Sequence, residues 1–111
     1  YVGGRIMGAA AGIGGTYAAM PRLFLNAEQL LQKGDFAGAK RVQYQVNDII
    51  TALCSGKGNM YAVIKGVLAA RCGVECGGVR KPLMNLTDAD KQVVAHCCEL
   101  INAAYAREEL A

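Results

Sequence analysis

The sequence predicts a mainly α-helical bundle that is preceded by a Gly-rich arm or a short strand. From residue 20 onward, apolar side chains recur every three or four positions, as they do on one face of a helix. Residues 1–17 contain six glycines, too many for a helix that is stable on its own. The chain has 111 residues, 53% hydrophobic and 19% charged, which suits one globular core and excludes a large multidomain enzyme.

The composition divides the chain into a Gly/Ala-rich opening, residues 1–19, and a helical remainder, residues 20–111. Within the opening, residues 11–17 are a candidate short strand, the alternative to an irregular arm. Its glycines would let another backbone or a ligand come close.

Local capping signals place the boundaries of three helices. The first is predicted over residues 21–33 and should end at Gly34, which suits the C′ position. Asp35 should cap the second helix, which ends near residues 55–58. The third helix should stop at Gly73. Apolar residues surround most of its circumference, so we expect it to be the most buried helix.

A connector and a long final helix follow. Residues 74–86 lack helical periodicity and include Pro82, so they should form an extended connector. Thr87 should restart the helix, with Asp90 in the position of a capping-box acid. The apolar stripe of this last helix is Val94, Cys97, Ile101, Ala104 and Tyr105.

The charge pattern excludes several partner classes. The net charge of +3 comes from scattered basic residues, which predicts no nucleic-acid partner and no anionic-lipid surface. No apolar run is long enough for a membrane span, and the start lacks the layout of a signal peptide. We therefore expect a cytoplasmic protein that does not associate with membranes.

The five cysteines are Cys54, Cys72, Cys76, Cys97 and Cys98. An odd number of cysteines without a secretory signal favours free thiols in a reducing compartment over a disulfide framework. Their spacing, and that of His96, fits no metal-ligand pattern, so no metal site is predicted. We expect them to be small buried apolar side chains.

Two motifs invite catalytic or nucleotide-binding interpretations. The run from Gly12 to Gly15 begins like a dinucleotide-binding loop, but Tyr17 occupies the position where that motif needs a small residue. Lys65 lies in an apolar stretch where desolvation could activate it as a nucleophile. A lysine that reaches solvent or forms a structural ion pair is the favoured interpretation.

Three further side chains have structural and functional interpretations. Tyr61 opens an apolar helix and could point its phenol at a pocket, although packing in the core is favoured. Arg80 could bind a carboxylate, but a bond to nearby backbone carbonyls is favoured. His96 has no acid or serine at a spacing that would orient it, so it receives no role.

The string YVGGRIMGA at residues 1–9 and GIGGTY at residues 12–17 resemble a known family. They look like the passage from the seventh barrel helix into the eighth strand of class I aldolases, the family of N-acetylneuraminate lyase and dihydrodipicolinate synthase. The lyase form of this passage reads G-x-I-G-S-T-Y-N. Downstream, Lys65, Leu68 and Gly73, followed by the Arg-x-Pro at residues 80–82, resemble the C-terminal helical pattern of the family. The resemblance covers nearly the whole chain.

The resemblance implies a parent (β/α)8 TIM barrel of about 250 residues with added C-terminal helices. Residues 1–19 would be the end of the seventh barrel helix and the eighth strand, and residues 20–111 the last barrel helix and the C-terminal helical domain. Tyr1 would not be a natural start.

The resemblance also locates the site residues. The Schiff-base lysine and the proton-relay tyrosine of the family precede Tyr1, so it assigns no catalytic residue, metal ligand or cofactor to this chain. Gly15 stands where the lyase form has its substrate-contacting serine, and Ala18 where it has asparagine. Tyr61 stands where lyases often place an aromatic residue. Gly15 and Tyr61 are therefore the predicted substrate-binding residues.

The implied activity belongs to the parent protein. It would be a pyruvate-dependent Schiff-base lyase that splits N-acetylneuraminate into pyruvate and N-acetylmannosamine, while this fragment alone would be inactive. Dihydrodipicolinate synthase or another 2-keto acid aldolase is one alternative, and a non-catalytic helical interaction module is another. The parent is expected to be a homo-oligomer, as a tetramer, and the fragment a dimer or larger.

Overall fold

The computed structural model describes residues 1–110. The elements are α1 (Val2–Ile6), a 3₁₀ turn (Gly15–Ala18), α2 (Pro21–Gln32), α3 (Phe36–Leu53), α4 (Met60–Cys72) and α5 (Asp90–Arg107). No β-strand occurs among these residues. The predicted mainly helical fold class is thus confirmed, with an arm rather than a strand before the bundle.

The capping residues end and begin the helices where the sequence predicts. Gly34, with φ of 78°, follows α2, and Gly73, with φ of 67°, follows α4. These left-handed backbone conformations favour glycine. Asp35 caps α3 by accepting a 2.8 Å hydrogen bond from Gly38 N.

The start of α5 differs from the prediction. The helix begins at Asp90 rather than at Thr87. Thr87 N does donate to Asp90 Oδ2 at 2.7 Å, as in a capping box, but the Thr87 hydroxyl also lies 2.9 Å from the same oxygen. That hydroxyl faces the carboxylate instead of a helix N–H, so only half of the capping box forms.

The expectation that α4 is the most buried helix is wrong. Eight residues of α3 are buried, against four of α4. The reason is position, because α3 packs against both α2 and α5, whereas α4 packs mainly against α5. Its outer face carries exposed Tyr61 and Cys72.

One carboxylate joins three helices at the far end of the bundle. Glu108, whose side chain is 4% exposed, accepts two 2.9 Å hydrogen bonds from Arg41 and one of 2.6 Å from Gln45. Asn26 of α2 approaches it at 3.4 Å. The bonds from Arg41, followed by that from Gln45, hold the pKa of Glu108 below its usual value against the opposing effect of burial.

The candidate strand at residues 11–17 is absent. Residues 11–14 have irregular structure, and the 3₁₀ turn begins at Gly15. Within the described part of the chain, the backbone N–H groups of residues 10–14 form no hydrogen bond. A single strand has no ladder to complete without neighbouring strands, which accounts for the difference.

Although short and Gly-rich, α1 forms because tertiary contacts hold it. Val2 is buried, and its N–H donates to Gln43 Oε1 at 2.9 Å. None of the helices described between residues 1 and 110 has the length and apolarity needed to cross a membrane.

Candidate functional site

The candidate site contains residues 9–15 of the Gly-rich opening, which we call the arm, and the tyrosine rings that pack on them. A Cβ placed on Gly12 would lie 2.4 Å from the Tyr17 hydroxyl oxygen and 2.9 Å from the Tyr1 ring. A Cβ on Gly14 would lie 2.6 Å from the Tyr17 ring. The glycines of this run therefore admit aromatic rings, which explains the motif without a bound nucleotide.

Gly15 and Tyr61, the two residues predicted to bind substrate, lie side by side. A Cβ on Gly15 would be 2.6 Å from Tyr61 Cε1. Residues 46 positions apart are thus brought together where the arm meets the start of α4. Tyr61 is 48% exposed, so the favoured interpretation that it packs in the core is wrong.

The position of Tyr61 is set by the N-terminus of α4. Asn59 caps this helix by accepting a 2.9 Å hydrogen bond from Tyr61 N. Asn59 N in turn donates to Met84 O at 2.8 Å, which ties the cap to the connector. The ring therefore projects from a fixed backbone.

A buried carboxylate that sequence reasoning used only as a cap supports this region. Asp90 is 1% exposed and accepts hydrogen bonds from Lys57 N at 2.7 Å and Gly58 N at 3.0 Å, in addition to those from Thr87. These bonds, chiefly the one from the Thr87 backbone, lower its pKa to about 2 although burial opposes the shift. Asp90 thereby holds the turn that leads into Asn59. Its spacing from Thr87 was the one local signal of this role.

A charged network between α1 and α2 anchors the first residue of the arm, Ala9. Arg5 binds Glu28 through two hydrogen bonds of 2.8 and 2.6 Å, and the Tyr1 hydroxyl donates to the same carboxylate at 2.6 Å. Arg5 also donates to the carbonyl of Ala9. The bonds from Arg5 and then Tyr1 lower the pKa of Glu28 to about 2, while burial, followed by the neighbouring Glu28, raises the pKa of Tyr1. Arg5 thus links α2 to the first residue of the arm.

The aromatic rings beneath the arm form a cluster. The ring centroids of Tyr17 and Phe24 are 4.1 Å apart, and Tyr1 meets both rings edge to face at 6.1 and 5.7 Å. Such geometry contributes about 1 kcal/mol per pair beyond the area buried. The glycine run therefore lies against packed aromatic rings.

Lys65 has a structural role. Its Nζ donates to Gly78 O at 2.6 Å and to Cys76 O at 3.3 Å. The structural interpretation holds, but the partners are carbonyls of the connector rather than the acid of an ion pair. These residues line a cleft of about 370 Å³ on the outer side of α4.

The other candidates carry no site. Cys97 is buried, and burial raises its pKa to about 11. Cys54, Cys72 and Cys76 are exposed, so the expectation of buried cysteines is wrong for these three, which lie near helix ends or in the connector. His96 and Arg80 are exposed.

A model of the dihydrodipicolinate synthetase family matches residues 4–101. The match includes the arm, Tyr61, Lys65 and most of α5. The chain therefore belongs to the dihydrodipicolinate synthetase family, as the resemblance in its motifs indicates.

Within that family, the chain is similar to sialic acid aldolases. It is 44% identical over 101 residues to an N-acetylneuraminate lyase from Mediterraneibacter gnavus. The aligned residues make up 91% of this chain and 32% of that relative. Two solved structures of the Ruminococcus gnavus sialic acid aldolase, a catalytic lysine mutant and the wild type, superimpose with TM-scores of 0.95 and 0.94 at 42% identity. Each alignment covers 96% of this chain and 35% of the solved chain. The chain thus spans about a third of the length of the relatives that it matches.

Proposed function

We propose that this chain is the C-terminal part of a pyruvate-dependent Schiff-base aldolase that splits N-acetylneuraminate into pyruvate and N-acetylmannosamine. The observation that carries the proposal is the 44% identity, over 91% of the chain, to an N-acetylneuraminate lyase. The TM-score of 0.95 supports it, since the helices take the same arrangement as in a sialic acid aldolase.

In this proposal, residues 1–19 are the end of the seventh barrel helix and the eighth strand, and the rest is the last barrel helix and the C-terminal helical domain. The wall formed by the arm and Tyr61 faces the substrate. Gly15 offers its backbone N–H and C=O, and Tyr61 offers a phenol, to the hydroxyl groups of a sugar acid. The lysine that forms the Schiff base and the tyrosine that relays protons lie outside this chain, as the resemblance implies.

The wall supplies binding and orientation rather than covalent chemistry. A half-exposed phenol beside the backbone of Gly15 suits a ligand rich in hydroxyl groups. Holding the substrate chain in one orientation would favour the geometry in which the carbon–carbon bond next to the Schiff base breaks.

The experiment expresses the complete protein that carries this chain and measures pyruvate release from N-acetylneuraminate. Parallel assays test aldol addition of pyruvate to aspartate semialdehyde, which distinguishes a synthase of the same family. Borohydride reduction with pyruvate should add one reduced adduct to a lysine outside the 111 residues. Absence of pyruvate release and of any adduct would refute the proposal.

The proposal includes association between copies. Ile6, Phe36 and Tyr44 line one shallow groove and are 57%, 57% and 58% exposed. In the isolated chain, this apolar surface and the unpaired N–H groups of the arm would be covered in a dimer or larger oligomer. The parent, in which the arm belongs to a strand that pairs with its barrel neighbours, is proposed to be a tetramer. The free thiols favour a cytoplasmic setting.

A further inference from the structure

A cleft of about 320 Å³ is lined by the end of the 3₁₀ turn, the start of α2 and residues of α4 and α5. Three of its side chains, Arg22, Arg71 and Tyr105, end in strong hydrogen-bond donors, and two of these are guanidinium groups. The other lining residues are small and apolar or, at Cys72, a thiol, and no acidic residue of the described chain lines the cleft. The cleft therefore offers donors and positive charge to whatever enters it.

Arg71 is held in place at this cleft. Its Nε donates to Asn102 Oδ1 at 3.1 Å, and its Nη1 donates to Ala19 O at 3.4 Å. Its guanidinium lies over the Tyr105 ring, with Cζ 5.1 Å from the ring centroid. Within residues 1–110, Nη2 of Arg71 forms no hydrogen bond. Part of a guanidinium that is already oriented thus remains available to a ligand.

The other two donors of the cleft are also unoccupied. The Tyr105 hydroxyl accepts a 3.4 Å hydrogen bond from Arg22 N, which keeps the phenol beside the first turn of α2. The described residues provide no acceptor for the proton of that hydroxyl. The ion pairs among residues 1–110 use Arg5, Arg41 and Lys91 as their basic members. Both guanidinium groups of the cleft therefore lack a carboxylate partner in that part of the chain.

We propose that this cleft binds a small oxyanion, the carboxylate or phosphate group of a metabolite, through Arg22, Arg71 and the Tyr105 hydroxyl. Guanidinium N–H groups match the oxygen atoms of both anions and form strong, charge-assisted hydrogen bonds with them. Two cations that line one cleft repel each other, so an anion in the cleft also relieves that repulsion. Neither Gly15 nor Tyr61 lines the cleft, so the inference goes beyond the proposed function.

Calorimetric titration of the complete protein with sodium phosphate tests the proposal, with sodium chloride used to keep the ionic strength constant. One anion should bind per chain, with a dissociation constant of about 1 mM. A parallel titration with sodium acetate distinguishes the two sources of the oxyanion. Tighter binding of phosphate would indicate a ligand with a phosphate group, and tighter binding of acetate a carboxylate ligand.

Three variants locate the bound anion. Arg22→Gln removes one charge from an exposed position and should weaken the tighter-binding anion about tenfold. Arg80→Gln removes the same charge from an exposed position of the connector, so this matched control should keep the affinity unchanged. Tyr105→Phe keeps the ring beneath Arg71 and removes only the hydroxyl, so the affinity should fall about threefold.

The absence of saturable binding of both anions, or an equal loss of affinity in Arg22→Gln and Arg80→Gln, would overturn the inference. Failure of the proposed function is distinguishable, because it would show as a lack of pyruvate release from N-acetylneuraminate. Calorimetry measures anion binding alone and gives its result whatever that activity is.

Discussion

Replacing Glu108 with alanine should strongly destabilise the chain, because this single carboxylate joins α2, α3 and α5. It receives hydrogen bonds from Arg41 and Gln45 while only 4% of its side chain is exposed. Alanine removes every acceptor at once and leaves the donors in place.

The magnitude follows from the burial of each donor. Gln45 is buried, with 8% exposed, and loses a 2.6 Å bond, which costs about 2 kcal/mol because its amide stays away from water. Arg41 is 56% exposed and can return to water, so its two bonds add about 1 kcal/mol. The free energy of unfolding should fall by about 3 kcal/mol, and the melting temperature by about 15 °C.

Thermal and urea denaturation followed by circular dichroism would measure this loss. Glu99→Ala, at an exposed glutamate of α5, the helix that ends just before Glu108, is the matched control and should change stability by less than about 0.5 kcal/mol. If Glu108→Ala lost no more than Glu99→Ala, the assignment of Glu108 as a buried junction would be refuted.

The same variant predicts a pH dependence. The pKa of Glu108 is lower in the folded chain than its ordinary 4.5, so the unfolded state takes up the proton first as the pH falls. The stabilisation is complete above pH 4.5 and is lost as the pH drops through the folded pKa. The difference in melting temperature between the unsubstituted chain and Glu108→Ala should therefore become smaller as the pH is lowered from 7 to 3.

Two further substitutions and two measurements on the isolated chain test the structure and the proposed function. Asp90→Asn should lower the melting temperature by about 10 °C at pH 7, because one amide oxygen replaces a carboxylate that binds three backbone N–H groups. The pKa of Asp90 is about 2 in the folded chain, against its ordinary 3.8. The loss of melting temperature in Asp90→Asn should therefore persist at pH 5 and become smaller towards pH 2. Gly58→Ala should destabilise the chain, since its Cβ would lie 2.9 Å from Asn85 O. Gly3→Ala is the control, because a Cβ there would meet nothing within 4 Å. Equal melting temperatures of the two variants would contradict the close packing of Gly58 against the connector. The isolated chain should form no pyruvate adduct on borohydride reduction. Sedimentation equilibrium of the isolated chain at micromolar concentration should show an oligomer. An 11.7 kDa monomer whose arm resists proteolysis would contradict the proposed association.

The sequence could predict the helices because their signals are local. Gly34, Asp35 and Gly73 act on backbone groups within a few residues of themselves, so α2, α3 and the end of α4 match the prediction closely. The order of short motifs, from the arm to the Arg-x-Pro of the connector, was enough to indicate the family. Residues 4–101 match its model.

Part of the candidate site was also predictable. Gly15 and Tyr61 are named from the sequence, and the structure places them in contact range. Whether either binds substrate stays a prediction. Their close approach could not be predicted, since it depends on how α4 packs beside the arm.

Only the tertiary structure decided which polar groups are buried and what they bind. In the sequence, Asp90 is a helix cap and Glu108 an acid near a chain end, yet each collects donors that come from residues more than 30 positions away. The strand at residues 11–17 fails for the same reason, because strand pairing needs partners that the local sequence does not contain. Local backbone chemistry therefore determined where the helices begin and end. The exposure of Tyr61, the burial of the two carboxylates and the form of the arm depend on how the helices pack, because packing decides burial and long-range hydrogen bonding.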